Sequence, residues 1–176
     1  VYVQAVCSAT DQSEWPDNFT CTTECGLLSV PYTENFDIYT TSTTSSTAPS
    51  AYPNDVLPLC WTFLNRSNSG TTYPAAFLTS FSAYAVTGNC LFFRSSSTTP
   101  LYAILPGFTQ SIQNLQLTFT YRNEGVSPYN GTLSVGYMTD PTNASTFTAI
   151  QTCQMNTSLT EVIVPFSTVP ASVTNA

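Results

Sequence analysis

Lysine and histidine are absent from this 176-residue chain, and arginine occurs only as Arg66, Arg94 and Arg122. Charged residues make up 7% of the sequence, against about 25% in an ordinary soluble domain. Without histidine, no side chain has an unperturbed pKa near neutrality, which removes the usual proton shuttle of acid–base catalysis. The serine and cysteine side chains have no histidine or lysine to activate them as nucleophiles. The scarcity of cations disfavours nucleic acid as a partner, because phosphate binding needs clustered Lys and Arg, and it disfavours an anionic membrane surface for the same reason. No apolar run reaches the roughly 18 residues that a membrane-spanning helix needs. No secretory leader opens the chain, so residue 1 is expected to lie inside a longer polypeptide.

Serine and threonine account for 51 residues, while hydrophobic residues make up 42% and aromatic residues 13%. That apolar content supports a packed core and argues against disorder. The net charge of −7 comes from ten scattered carboxylates. Six cysteines are present, at positions 7, 21, 25, 60, 90 and 153. A zinc site would want a second Cys/His pair beside Cys21 and Cys25, and there is none. Disulfides in an oxidising compartment are the better reading, with free buried thiols as the alternative. Connectivity is open, although a hairpin across residues 1–24 favours Cys7 with Cys25. Five Asn-x-Ser/Thr sequons, at Asn18, Asn65, Asn130, Asn143 and Asn156, are candidate glycosylation sites against roughly three expected by chance.

Strand signals dominate. VYVQAVCS and FTCTT read as a hairpin, ECGLLSVPYTE as a linker and NFDIYT as a new strand. TSTTSSTAPSAYPND is a low-complexity loop. Strand-like runs then follow at regular spacing: VLPLCWTFL, AAFLTS, YAVT, CLFFR, LYAILP, IQNLQLTFTYR, TLSVGYMT, TFTAIQT and LTEVIVPF. LQLTFTYR alternates cleanly, so one face is buried and one is solvated. No segment sustains a helical period. Many short strands predict an antiparallel all-β sandwich or jelly roll.

Two resemblances sharpen this expectation. VYVQAVCSATDQSEWPDNFTCTTEC resembles the last two strands of a fibronectin type III module. The remainder resembles the MAM-like, concanavalin-A-like jelly-roll modules of secreted Bacteroidota surface proteins. The residues that carry it are PYTENFD (31–37), LPLCW (57–61), Tyr102 to Pro106, LQLTFTYRNE (115–124), Gly136 to Asp140 and Ala144 to Phe147. The resemblance implies a fibronectin-like hairpin over 1–25 and a jelly-roll domain over 26–176. It also implies further strands beyond the C-terminal end, and roles in adhesion, glycan binding or the accessory parts of secreted hydrolases.

Candidate sites each have a plainer reading. Glycosidases of jelly-roll type need two carboxyl groups about 5 to 9 Å apart, carried as acids clustered on one strand; Glu34 with Asp37, Glu124 after Arg122, and Asp140 before Pro141 form no such cluster. Asp37, Asp55 and Asp140 are hard oxygen ligands for a structural calcium ion if the fold gathers them; otherwise they sit at strand ends and turns. The resemblance also implies a structural cation near the first strand. Tyr84, Phe92, Phe93, Tyr102, Phe119, Tyr121 and Tyr137 are candidates for a sugar-stacking platform, with Tyr84, Tyr102, Tyr121 and Tyr137 the main ones. Most of these rings must fill the sandwich core. Trp61 is expected in the core and Trp15 in a turn against the first hairpin. The expected function is a non-catalytic extracellular binding or adhesion module, with no cofactor beyond a possible calcium ion and a glycan or protein ligand. The alternative is a structural repeat or fibre subunit that pairs with neighbouring copies of itself by strand complementation.

Overall fold

Eight strands and two single turns of 3-10 helix form in the computed structural model, which describes residues 25–41, 57–67, 74–80, 88–95, 99–123, 131–154 and 156–173. The strands are β1 (Thr62–Leu64), β2 (Ala75–Thr79), β3 (Cys90–Arg94), β4 (Tyr102–Ile104), β5 (Gln116–Tyr121), β6 (Leu133–Met138), β7 (Phe147–Cys153) and β8 (Thr160–Pro165). Each pairs with one partner, and every ladder is antiparallel: β1 with β4, β2 with β3, β5 with β8 and β6 with β7. The expected 1–25 hairpin lies outside the described residues except for Cys25.

The alternation of LQLTFTYR becomes β5. Leu117, Phe119 and Tyr121 turn inward, while Gln116, Thr118 and Thr120 are exposed. Strand β8 answers with Val162 and Val164 inward, set opposite Phe119 and Leu117. Leu133 and Val135 of β6 and Ile150 and Cys153 of β7 pack onto the same apolar layer. The two ladders thus meet across a shared core, as in an all-β antiparallel sandwich. The chain after β8 closes one end of that core. Two turns, Val169 N–H to the Phe166 carbonyl and Val173 N–H to the Pro170 carbonyl, aim Phe166, Val169 and Val173 at Ile112. Strand β2 is buried along its whole length, and its Phe77 ring lies 5.1 Å from Phe92 of β3. Phe93, one residue on, faces out, as strand alternation requires.

Several expected elements differ. NFDIYT is a turn and not a strand, because the Asn35 and Asp37 side chains bond locally and the Tyr39 N–H closes on the Phe36 carbonyl. Among its described residues, VLPLCWTFL is a strand only at Thr62–Leu64. Cys60 holds a positive φ of 69° within a 58–61 turn. The presumed linker after Cys25 is tied to the body, with Leu28 in a parallel bridge to Phe108. Trp61 is half-buried and not a core residue. The four two-stranded ladders do not by themselves trace the strand order of a jelly roll.

Candidate functional site

A densely connected surface feature lies where the 32–41 segment meets the 57–61 turn. Cys25 is disulfide-bonded to Cys60 with their Cα atoms 5.5 Å apart. This corrects the expected pairing of Cys7 with Cys25: the partner lies across 35 residues of sequence, and hairpin proximity in the sequence could not disclose it. Cys90 and Cys153 carry free thiols, so the expectation of complete oxidation fails for both. Cys7 and Cys21 lie outside the described residues.

Glu34 is the hub of the feature. Its Oε1 accepts from the Phe36 N–H at 2.7 Å. Its Oε2 faces the hydroxyls of Tyr32 at 3.4 Å and Tyr39 at 3.5 Å. Each tyrosine in turn accepts a bond from the 59–61 segment: Tyr32 from the Trp61 indole at 3.2 Å, Tyr39 from the Leu59 N–H at 2.7 Å. The Phe36 ring meets the Trp61 ring edge-on at 6.0 Å, and Tyr32 packs beside Phe108 at 5.8 Å. Burial raises the Tyr32 pKa; the Trp61 bond opposes this, and the Glu34 charge adds to it. Both Glu34 oxygens are thus engaged by donors, which suits a structural carboxylate better than a general base.

A second amide fastens the other flank. Asn89 donates to the Phe36 and Tyr39 carbonyls at 2.7 and 2.8 Å, and its Oδ1 lies 2.7 Å from the Thr41 hydroxyl. Gly88 precedes it at φ 66°, with Asp37 Oδ1 so close that a Cβ there would stand 2.9 Å from it. Phe36 itself has φ 62°. A bulky residue in this left-handed region is strained, and such strain persists where surrounding bonds fix the backbone, often at functional loops. The result is a rigid loop that presents Asn35, Asp37 and Ile38 outward, Ile38 with 81% of its surface exposed. Leu59 and Leu27, 71% and 67% exposed, flank the disulfide.

The residues singled out from sequence fare unevenly. Among the described residues no three His, Cys, Asp or Glu side chains gather into a metal site. Asp37 accepts a bond from the Asn35 amide. Asp140 caps a turn by accepting from the Thr142 N–H and hydroxyl, and those bonds hold its carboxyl below the usual range. Asp55 lies outside the described residues, as do Tyr84, Asn18 and Asn130. The other three main tyrosines do not assemble a platform, because each is committed to packing. Tyr102 packs tilted against Phe147 at 5.3 Å, Tyr121 donates its hydroxyl to the Gln154 carbonyl beside Phe119, and Tyr137 packs on the Ile112–Phe166 cluster. The exposed sequon residues are Asn65, Asn143 and Asn156. Sequence reasoning missed Tyr32, Tyr39 and Asn89; the available signal was Asn35-Phe36-Asp37, a turn-prone triplet inside an aromatic run.

Comparison with family models, curated proteins and solved structures finds no match for the chain. No helix among the described residues is long and apolar enough to cross a membrane.

Proposed function

We propose that this chain is a non-catalytic extracellular binding module, of the MAM-like kind its sequence resembles, that presents the 35–38 loop and the 59–61 turn to a macromolecular ligand. The observation that carries the reading is the locking of that loop. Five side chains, one disulfide and a strained Phe36 hold in place a tip whose outward groups, among the described residues, serve no bond network beyond the loop itself. Rigid loops of this kind bind with little ordering cost. The disulfide supports an oxidising location. Exposed Ile38 next to the Asp37 carboxylate, with exposed Leu59 bonded through its N–H to Tyr39, suits a protein surface with a basic rim better than a sugar, for which an open aromatic face is the usual platform.

The test is binding of the folded chain to arrayed glycans and extracellular proteins, repeated with Ile38→Asp and Leu59→Asp. The expected result is a ligand captured by the wild type and lost by both variants at unchanged unfolding midpoints. Equal binding by the variants places the site elsewhere. Concentration-dependent assembly in light scattering, without any ligand, supports the structural-repeat alternative instead.

A further inference from the structure

The strands differ in how their edges are guarded. β1 and β4 are three residues long, and β2 is buried along its whole length. β3 ends on Arg94, β6 and β7 meet at a register break between Val135 and Gly136, and β8 carries Glu161 and Pro165 at outward positions. Shortness, charge, proline and bulges all discourage a foreign strand from pairing. β5 has none of them. Its residues, Gln116–Tyr121, include no charge, proline or glycine, and its ladder with β8 is unbroken.

The phase of the hydrogen bonds fixes what the β5 edge offers. The Phe166 N–H donates to the Leu115 carbonyl at 3.1 Å, one step before the Gln116–Pro165 pair. Bonded and non-bonded pairs alternate along an antiparallel ladder. Leu117, Phe119 and Tyr121 therefore direct their backbone groups at β8. Pro165, which has no N–H, falls at a non-bonded position, as this phase requires. The N–H and C=O groups of Gln116, Thr118 and Thr120 point the other way, and among the described residues no strand pairs with them. The apolar layer is open on the same side. Val162 and Val164 of β8 are buried, whereas Leu117, Phe119 and Tyr121 are only half-buried.

We propose that the β5 edge pairs with the β5 edge of a second copy of this chain, antiparallel about a twofold axis through Thr118. The outward groups then set Thr118 against its counterpart and Gln116 against the second copy's Thr120, each pair exchanging both backbone hydrogen bonds. Leu117 meets the second copy's Phe119 on the inward face, which covers the half-open apolar layer. Charge selects a copy of the chain over a charged partner. β5 is neutral, so a chain of net charge −7 meets itself there without placing carboxylates in contact. A strongly basic or acidic strand finds no counter-charge on it. A twofold pair occupies the edge in both copies, so assembly stops at two. The pairing is independent of what the 35–38 loop binds.

Sedimentation velocity of the full, disulfide-intact chain from micromolar to millimolar concentration tests this, together with hydrogen exchange of assigned backbone amides. The expected result is a monomer–dimer equilibrium with no larger species. Exchange at Gln116, Thr118 and Thr120 should slow as the dimer forms. Thr118→Pro deletes an outward N–H without touching the β5–β8 ladder and should abolish the dimer. Thr118→Lys and Thr118→Glu keep the backbone and set like charges across the axis. Each should weaken pairing about fivefold or more, and an equal mixture of the two should pair again. A monomer at every concentration overturns the proposal, whether those amides exchange freely or the chain protects them itself. Growth beyond two copies, which marks the structural repeat, overturns it too, as does a dimer that all three variants leave intact.

Discussion

The indole N–H of Trp61 donates to the hydroxyl of Tyr32 at 3.2 Å, joining residues 29 positions apart. That hydroxyl faces Glu34 in turn, so its removal breaks two bonds at once. Tyr32→Phe keeps the ring against Phe108 and leaves the indole and the carboxylate each short of a partner. A loss of about 1 to 3 kcal/mol is expected, typical of a half-buried polar group left unsatisfied. Urea unfolding of Tyr32→Phe, Trp61→Phe and the double variant measures it. The double variant should lose less than the sum of the singles, because the pair acts together. Strict additivity would show that the bond carries no weight.

The Cys25–Cys60 bond closes a loop of 35 residues. On the chain-entropy account a loop of this length contributes about 3 to 4 kcal/mol through the unfolded state. Cys25→Ser or Cys60→Ser should lower the unfolding midpoint accordingly. Peptic mapping without reductant should recover a 25–60 linked peptide, and alkylation after unfolding should label Cys90 and Cys153. A peptide joining Cys7 to Cys25 would contradict the pairing.

Gly136 sits at a break in the β6–β7 register, beside the bulge between Val135 and Gly136. A Cβ there would stand 2.1 Å from the Thr148 carbonyl oxygen and 2.8 Å from the Phe147 ring. Backbone cannot yield as a flexible side chain does. Gly136→Ala should therefore cost at least about 3 kcal/mol, at the upper end of overpacking effects. Gly131→Ala is the control, since nothing lies within 4 Å of its added methyl, and it should stay within about 0.5 kcal/mol of wild type. Comparable stability of the two variants would contradict the β6–β7 register.

The strands were legible in sequence where a single periodicity decided the outcome. LQLTFTYR alternates, and β5 buries the residues that alternation selects. CLFFR and AAFLTS became β3 and β2 because short apolar runs bounded by polar residues have few other uses. The candidate site was not legible for the opposite reason. NFDIYT has strand composition, but Asn35 and Asp37 satisfy the backbone locally and convert it to a turn. The apolar run through Cys60 hides a turn whose backbone has a positive φ. Tyrosine alternation shows which rings share a face and not which face is core, so Tyr121 and Tyr137 read as ligand candidates although both pack inward. The partner of Cys25 depends on long-range closure that spacing does not encode.

The folded protein should lose stability at alkaline pH. Cys153 is 4% exposed and packs with Val162 and Val164. Burial pushes its thiol pKa up, as it does for half-buried Cys90, where the Arg122 charge pulls the other way. Burial also leads the rise at Tyr32. In the unfolded chain these groups ionise at their ordinary values, about 8.5 for a thiol and 10 for a tyrosine. The folded protein therefore holds protons that the unfolded chain releases, and stability must fall as pH rises. The contribution is fully present below the unfolded values and is lost as pH climbs through the raised ones. Urea midpoints should be level from about pH 6 to 8 and decline above about pH 9. Cys153→Ala removes one of the groups and should flatten the decline, whatever its cost in packing at neutral pH. Thiol reagents give an independent reading: Cys153 should react at the rate of unfolding, well behind an unfolded control. Level midpoints up to about pH 11, where free thiols and tyrosines are ionised, or immediate modification of Cys153 in the native protein, would place these groups in solvent and contradict the core described here.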